Sequence, residues 1–172
     1  RVSRMLKIQY RMHPNIADWA SQAMYHGELD THQLVRERTT LQEQPTMLLI
    51  DTTGCVGTEE HVNAAGSRYN PGEADLVARH VRALLAPAPS GDSLQPEDIA
   101  VISPYNGQVE LLKQLLREEF PKLEIRSVDG FQGGEREAVV LSLVRSNDGG
   151  TIGFLKDNRR LNVAITRAKR HV

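Results

Sequence analysis

Two kinds of apolar pattern alternate along the chain. Met47-Leu-Leu-Ile-Asp51, Ile99-Ala-Val-Ile102 and Ala138 to Val144 are short, nearly continuous apolar runs, the pattern of strands buried in a sheet. Glu124 to Val128 reads as one more short strand. Between these runs, apolar residues recur at helical spacing behind start signals. His13-Pro14 puts a proline at a first helical position, with Ile16, Ala20, Ala23 and Met24 on the inner face and Gly27 as the stop. Asn70-Pro71-Gly72-Glu73 combines a capping asparagine, a proline at the first position and a glutamate three residues past the cap. It precedes a stripe of Leu76, Val77, Val81, Leu84 and Leu85. Ser103-Pro104 repeats the cap-plus-proline signal ahead of Val109, Leu112, Leu115 and Leu116, and Pro121 ends that helix. A last helix, about Asn158 to Ala168, hides Leu161, Ile165 and Ala168. Strands alternating with helices of about ten residues or more predict an α/β fold: a parallel sheet with helices on both faces.

The remaining stretches read as connections. Asp30 to Gln44 is polar, and Thr52 to Tyr69 has glycines and charges but no periodicity, which predicts a mobile surface loop. Cys55 and His61 lie in that loop without partners at metal-ligand spacing. Pro87, Pro89, Gly91 and Pro96 break the chain before the strand at Ile99. Trp19 and Tyr25 read as packing residues of the first helix. Val128-Asp-Gly-Phe-Gln-Gly-Gly-Glu135 is a polar, glycine-bearing turn that runs directly into an apolar strand. That is the kind of loop at a sheet edge where open α/β sheets place ligands.

The totals narrow the choice of partner. With 21 basic and 22 acidic side chains, bulk charge advertises neither nucleic acid nor membrane, so such a partner must be met by a local patch. A single cysteine excludes an internal disulfide and fits a reducing compartment, cytoplasmic or nuclear. No apolar run approaches the roughly 18 residues that span a bilayer, and no membrane partner is expected. The 172 residues suit one domain. The chain opens without an initiator methionine and stops at Lys169-Arg170-His171-Val172, where a strand is just starting, so it is expected to be a piece of a longer protein.

Three clusters carry candidate chemistry. In Gln9-Tyr10-Arg11-Met12-His13-Pro14, Tyr10 has the chemistry to stack on a base or to pack in the core, and Arg11 to pair with phosphate or with a surface carboxylate. In the turn, Gln132, Gly133 and Gly134 allow close backbone approach to a ligand and Glu135 accepts hydrogen bonds from sugar hydroxyls; an ordinary glycine turn is the alternative. The third cluster gathers Lys156, Arg159, Arg160, Arg167, Lys169 and Arg170 around one acid, Asp157. Arg160 and Arg167, seven apart, are expected on one helix face at about 10 Å, where a guanidinium held rigidly suits the charge of a transferring phosphoryl group. Yet the chain has no Gly-x-x-x-x-Gly-Lys-Ser/Thr loop and no apolar strand ending in Asp-Glu. A nucleotide met by these arginines must be held by another domain.

Taken in order, Gln9-Tyr-Arg-Met-His-Pro14, Ser103-Pro-Tyr-Asn-Gly-Gln108, Val128-Asp-Gly-Phe-Gln-Gly133 with Glu135, Val144-Arg-Ser-Asn147, and Arg159 to Lys169 resemble the second RecA-like domain of superfamily 1 helicases, in the up-frameshift group. The resemblance implies a motor in which two RecA-like domains close on ATP and Mg²⁺, both held mainly by the first domain, and step 5′ to 3′ along single-stranded RNA or DNA. It implies that Tyr10 packs on adenine, that Arg11 and Arg167 reach the γ-phosphate as arginine fingers, and that Glu135 binds the ribose, supported by Gly133. On the nucleic-acid side it implies Ser103, Pro104, Tyr105, Asp129, Ser142, Arg145, Ser146 and Asn147, whose hydroxyls, amides and one arginine suit a phosphate chain held without reading bases. Gly134 departs from the arginine or lysine that the group often carries at that position. A nucleic-acid-binding or scaffolding module that kept the fold but lost the motor is the alternative, and a self-contained nucleotide-binding domain such as a kinase fits less well. This domain alone is expected to hydrolyse no ATP.

Overall fold

The computed structural model describes residues 4–41, 44–89 and 91–172. Its centre is a four-stranded, wholly parallel sheet in the order β6-β5-β7-β8. The strands are β5 (Ile99–Ser103), β6 (Glu124–Ser127), β7 (Arg136–Leu141) and β8 (Ala168–His171). Two minor pairs flank it: β1 (Ile8–Gln9) lies parallel to β2 (Asp30–Thr31), and β3 (His61–Val62) lies antiparallel to β4 (Arg68–Tyr69). The helices are α1 (Pro14–Met24), α2 (Gln33–Arg36), α3 (Pro71–Leu85), α4 (Asn106–Leu116) and α5 (Asn158–Ile165).

Successive side chains of a strand point to opposite faces, and here both faces are dry. Ile99 and Val101 of β5, with Ala138 and Val140 of β7, pack against Ala74, Val77 and Val81 of α3 and Leu112 and Leu116 of α4. Ala100 and Ile102, with Val139, pack the other way, against Ile16 and Ala17 of α1 and Ala164 and Ile165 of α5. Helices therefore cover both faces, as the alternation of patterns predicts. Trp19 joins the second of these cores, and the hydroxyl of Tyr25 accepts a 3.4 Å hydrogen bond from Asn162.

Several expectations shift. The inner face of α1 is Ile16, Ala17, Ala20 and Ser21, and Ala23 is exposed on the other side of the helix. In α4, Leu115 is exposed. Ser103 does not cap that helix: it is the last residue of β5, fully buried, and α4 begins three residues later behind Tyr105. Met47–Ile50 is not a strand. Leu48 donates to the Val172 carbonyl at 2.8 Å and Val172 donates to Thr46, but Leu49 beyond them is 85% exposed. The last helix stops at Ile165, because Arg167 and Ala168 turn into β8; Arg160 and Arg167 therefore sit at opposite ends of α5 rather than on one face.

The segment expected to be a mobile loop contains the β3–β4 hairpin, and polar bonds hold it down. Asn63 Oδ1 accepts the amides of Ala65 and Ser67 within the turn. Ser67 Oγ accepts the amide of Gly107 at 2.9 Å, which ties the hairpin to the start of α4. Gly107 is required there, since a Cβ would meet the Arg68 carbonyl at 2.8 Å.

Asn70 is the knot between these pieces. Its side chain caps α3 by accepting the Glu73 amide at 3.0 Å, and donates to the carbonyls of Thr58 and Val144. Its own amide is taken by Gln108 Oε1 at 2.8 Å. Asn70→Ala should remove the cap and leave two buried carbonyls unsatisfied. A loss of about 3 kcal/mol is expected in urea unfolding, and a loss below about 1 kcal/mol would contradict this role.

Candidate functional site

With the sheet faces sealed, polar side chains gather at the two ends of the strands, and the glycine turn joins those ends. β6 finishes at Ser127, opposite Ser103 of β5, and the next amide, Val128, donates to the Ser103 carbonyl at 3.1 Å. A single 3-10 turn, Asp129–Phe131, follows, with the Phe131 ring buried. The chain then enters β7, whose Arg136 amide donates to the Arg167 carbonyl at 3.1 Å. Residues 128–135 thus cross from the carboxyl ends of the strands to their amino ends. Glu135 lies at the amino edge, opposite to the edge expected from the ligand rule for open sheets, because the turn feeds β7 instead of leaving it.

At that amino edge five charged groups converge: Arg11, Glu135, Glu137, Arg167 and Lys169. Arg11 Nε donates to Glu135 Oε2 at 2.6 Å, and Arg11 Nη1 donates to the Thr166 carbonyl at 3.2 Å. Lys169 Nζ lies 3.5 Å from Glu135 Oε1 and 3.2 Å from Glu137. Arg167 is anchored by Nε to the Val163 carbonyl at 2.9 Å and by Nη1 to the Gly134 carbonyl at 3.4 Å. The Arg11 hydrogen bond, then the charges of Arg11 and Lys169, hold the Glu135 carboxyl below its ordinary range despite partial burial. Burial, and then the neighbouring Arg11 charge, lower the pKa of Arg167, with Glu135 and Tyr25 opposing. Two guanidiniums are thereby brought to one edge, Arg11 paired with Glu135 and Arg167 held by backbone carbonyls.

The turn that presents Arg11 is folded by Gln9. Gln9 Oε1 accepts the amides of Arg11 and Met12 at 2.8 and 2.7 Å, while its Nε2 donates to the Met12 carbonyl and to Thr31 Oγ1. His13 then donates its amide to the Lys169 carbonyl at 2.7 Å, fastening the segment beside β8. Tyr10 is 59% exposed and its ring stacks on His32 at 4.3 Å, so it offers a flat outward surface. Gly133 has φ +88, a conformation that favours glycine. At Gly134 a Cβ would meet the Phe131 ring at 2.8 Å, so a larger residue there requires Phe131 to move.

The other candidates lie at the carboxyl edge. Pro104, Tyr105, Ser146 and the exposed Asp129 and Asn147 reach the surface. Ser103 and Ser142 do not: both are fully buried, and Ser142 Oγ accepts from Gln108 Nε2 at 2.8 Å. The Arg145 side chain is enclosed as well, with Nε donating to Glu60 at 2.7 Å. These three lie beneath the edge: Ser103 ends β5 inside the sheet, and Ser142 and Arg145 are drawn in where the chain leaving β7 turns back onto α3.

What turns it back are two acids that the sequence pattern does not single out. Glu73 accepts the amides of Leu143 and Val144, each at 2.7 Å, and this supports Val144 at φ +73, a conformation strained for a β-branched residue. Burial pushes the Glu73 carboxyl up, against the pull of those two amides and the Ser142 hydroxyl. Glu60 Oε2 accepts Arg145 Nε, the Ser146 amide at 3.1 Å and Asn147 Nδ2 at 3.4 Å. Burial raises the Glu60 carboxyl too, but the bonds from Arg145 and Ser146 and the charges of Arg145 and Arg68 outweigh it and hold it low. Glu60 lies in a stretch without periodicity, and Glu73 reads as part of a helix start; neither carries a local signal of its distant partner.

Comparison with known proteins places this geometry in a family. A family described as "AAA domain" matches residues 1–172. DNA-binding protein SMUBP-2 of Rattus norvegicus is 50% identical over 180 residues, a match covering 99% of this chain and 18% of that protein. DNA polymerase alpha-associated DNA helicase A of Schizosaccharomyces pombe is 40% identical over 186 residues, covering 99% and 27%. A regulator of nonsense transcripts 1 homolog of Neurospora crassa is 38% identical over 180 residues, covering 95% and 16%. The chain spans less than a third of the length of each of these curated relatives. It belongs to the AAA domain family, as a RecA-like second domain of the up-frameshift group of superfamily 1 helicases.

Proposed function

We propose that this chain is the second motor domain of an ATP-dependent helicase that moves 5′ to 3′ on single-stranded RNA or DNA, and that it works against a first RecA-like domain. The observation that carries the reading is the convergence of Arg11, paired with Glu135, and Arg167, held by the Gly134 carbonyl beside it, in a chain that has no phosphate loop of its own. Cations gathered where nothing on the chain encloses a phosphate suit a role in trans across a cleft. The relatives' names, a DNA-binding protein and a DNA helicase, support DNA as a substrate beside RNA.

In this reading Arg11 and Arg167 are the arginine fingers, catalytic because they touch the γ-phosphate. Tyr10 takes the adenine on its exposed ring, Glu135 the ribose, and Gly133 gives the backbone room for that approach. Glu135 neutralises Arg11 until nucleotide arrives and is released to the sugar as Arg11 turns to phosphate. Mg²⁺ and most of the ATP contacts are assigned to the first domain, as the resemblance implies. At the other edge, Pro104, Tyr105, Asp129, Ser146 and Asn147 face the strand, supported from below by Ser103, Ser142 and Arg145. Contacts of this kind grip a backbone without reading bases. No helix among the described residues is long and apolar enough to cross a membrane.

Two outcomes are expected. In the full-length protein Arg167→Ala should lower nucleic-acid-stimulated ATP turnover by about 10³-fold or more while leaving nucleotide-free strand binding intact. Turnover near the wild-type rate in a steady-state assay refutes the finger role. The second outcome concerns Glu135, whose ionised form is favoured by Arg11, so that its folded pKa lies below the ordinary 4.5. A depressed carboxylate pKa stabilises the fold above the unfolded value, and that contribution is lost as pH falls through the folded value. A carboxyl carbon NMR titration should place Glu135 below the ordinary value and move it back toward that value in Arg11→Ala. An unchanged titration in the variant would show that the pair does not persist in solution.

A further inference from the structure

The carboxyl edge holds a chain of contacts that runs inward from its most prominent aromatic. Tyr105 stands between β5 and α4, partly exposed, and its hydroxyl is met by Arg145 Nη1 and by the Phe154 amide, each at 3.4 Å. Gly153 lies over this junction at φ +52, and a Cβ there would collide with Arg145 Nη1 and the Tyr105 hydroxyl. Behind Arg145 sits Glu60. The Arg145 and Glu60 side chains are only 7% and 8% exposed, so the pair is sealed from any strand lying on the surface. Glu60 Oε1 is also bound by Arg68 at 2.7 Å from the other arm of the hairpin, and the Glu60 amide donates to the Ser146 carbonyl at 3.3 Å. One carboxylate therefore anchors Arg145, Ser146 and Asn147 together, and the hairpin that carries it is itself bolted to α4 through Ser67 and Gly107.

We propose that Glu60 is the positioning residue of the strand-binding edge: it holds Arg145, which acts as an internal strut fixing the Tyr105 ring, and it sets the Ser146 amide and the Asn147 side chain in register with a phosphate chain. The proposal rests on the nucleic-acid reading of this edge. The geometry also defines its rival. A carboxylate collecting a guanidinium, an amide and a side-chain NH₂ imitates a bound phosphate, and an imitator would compete with the strand. Burial favours the strut, because Arg145 cannot reach a strand phosphate without uncovering both partners of a closed ion pair.

The test uses the full-length protein, fluorescence anisotropy with a labelled oligothymidylate in the absence of nucleotide, and thermal melting by circular dichroism. Glu60→Gln is expected to weaken oligonucleotide affinity by about tenfold, the effect of one hydrogen bond to a charged group. It should also lower the melting temperature, since Arg145 is left buried without its counter-ion. The double variant Glu60→Gln with Arg145→Met removes the stranded charge, and is expected to regain thermal stability while affinity stays low. Recovery of both properties in the double variant reduces Glu60 to a purely structural residue and overturns the proposal. Tighter binding by Glu60→Gln overturns it in favour of the phosphate imitator. Unchanged affinity in Glu60→Gln, with normal wild-type binding, overturns it alone, whereas wild-type protein that does not bind the oligonucleotide overturns the reading of the edge and this proposal with it.

Discussion

β5 and β7 are buried on both faces, and the two polar edges of the sheet are arranged around that constraint. A strand whose alternate side chains enter two separate cores has no side left for chemistry. A parallel sheet closed by helices has only its strand ends and the connections between them. The glycine turn is the one short connection that travels the whole distance between the ends without a helix, passing over β5 with Phe131 sunk into the core beneath it. A displacement at Glu135 is therefore linked through five intervening residues to Asp129, and the buried Phe131 ring makes that stretch a packed strip rather than a slack loop. This is a physical basis for coupling the two edges in the proposed motor.

The amino edge is an unusual electrostatic arrangement for a nearly neutral protein. Arg11 comes from the segment before α1 and Arg167 and Lys169 from the entry into β8, and among the described residues Glu135 and Glu137 offset them locally. Bringing guanidiniums together works against their mutual repulsion, and the lowered pKa of Arg167 reflects that repulsion together with burial. Backbone carbonyls at Val163, Gly134 and Thr166 absorb much of the hydrogen-bonding capacity of the two arginines and fix their orientation. An edge prearranged in this way meets an incoming anion with little reorganisation, which is what electrostatic stabilisation of a transferring phosphoryl group requires.

The carboxyl edge solves a different problem. Where β7 ends, the amides of Leu143, Val144 and Ser146 lose their ladder partners, and buried amides need acceptors. Glu73 and Glu60 supply them from α3 and from the hairpin. Charged acceptors make stronger bonds than carbonyls, and they hold Val144 in a conformation that a β-branched residue otherwise avoids. The same bonds set the direction in which Arg145, Ser146 and Asn147 leave the sheet.

The amino-acid sequence by itself determined the parts of this protein that local patterning governs. The unbroken runs at Ile99 and Ala138 specified buried parallel strands, Asn70-Pro71 specified where α3 begins, and the family motifs named Arg11, Glu135 and Arg167 before their neighbours were visible. Tertiary structure decided the rest. Apolar Leu49 lies in the open, because a run of strand length becomes a strand only where a ladder receives it. Arg167 left the helix for the turn into β8, and Ser103 and Ser142 went inside. Glu60 and Glu73 found partners 85 and 71 positions away. Periodicity records how each segment meets a core, but a polar pair joined across such distances exists only after the segments have packed, and leaves no trace in the local order of residues.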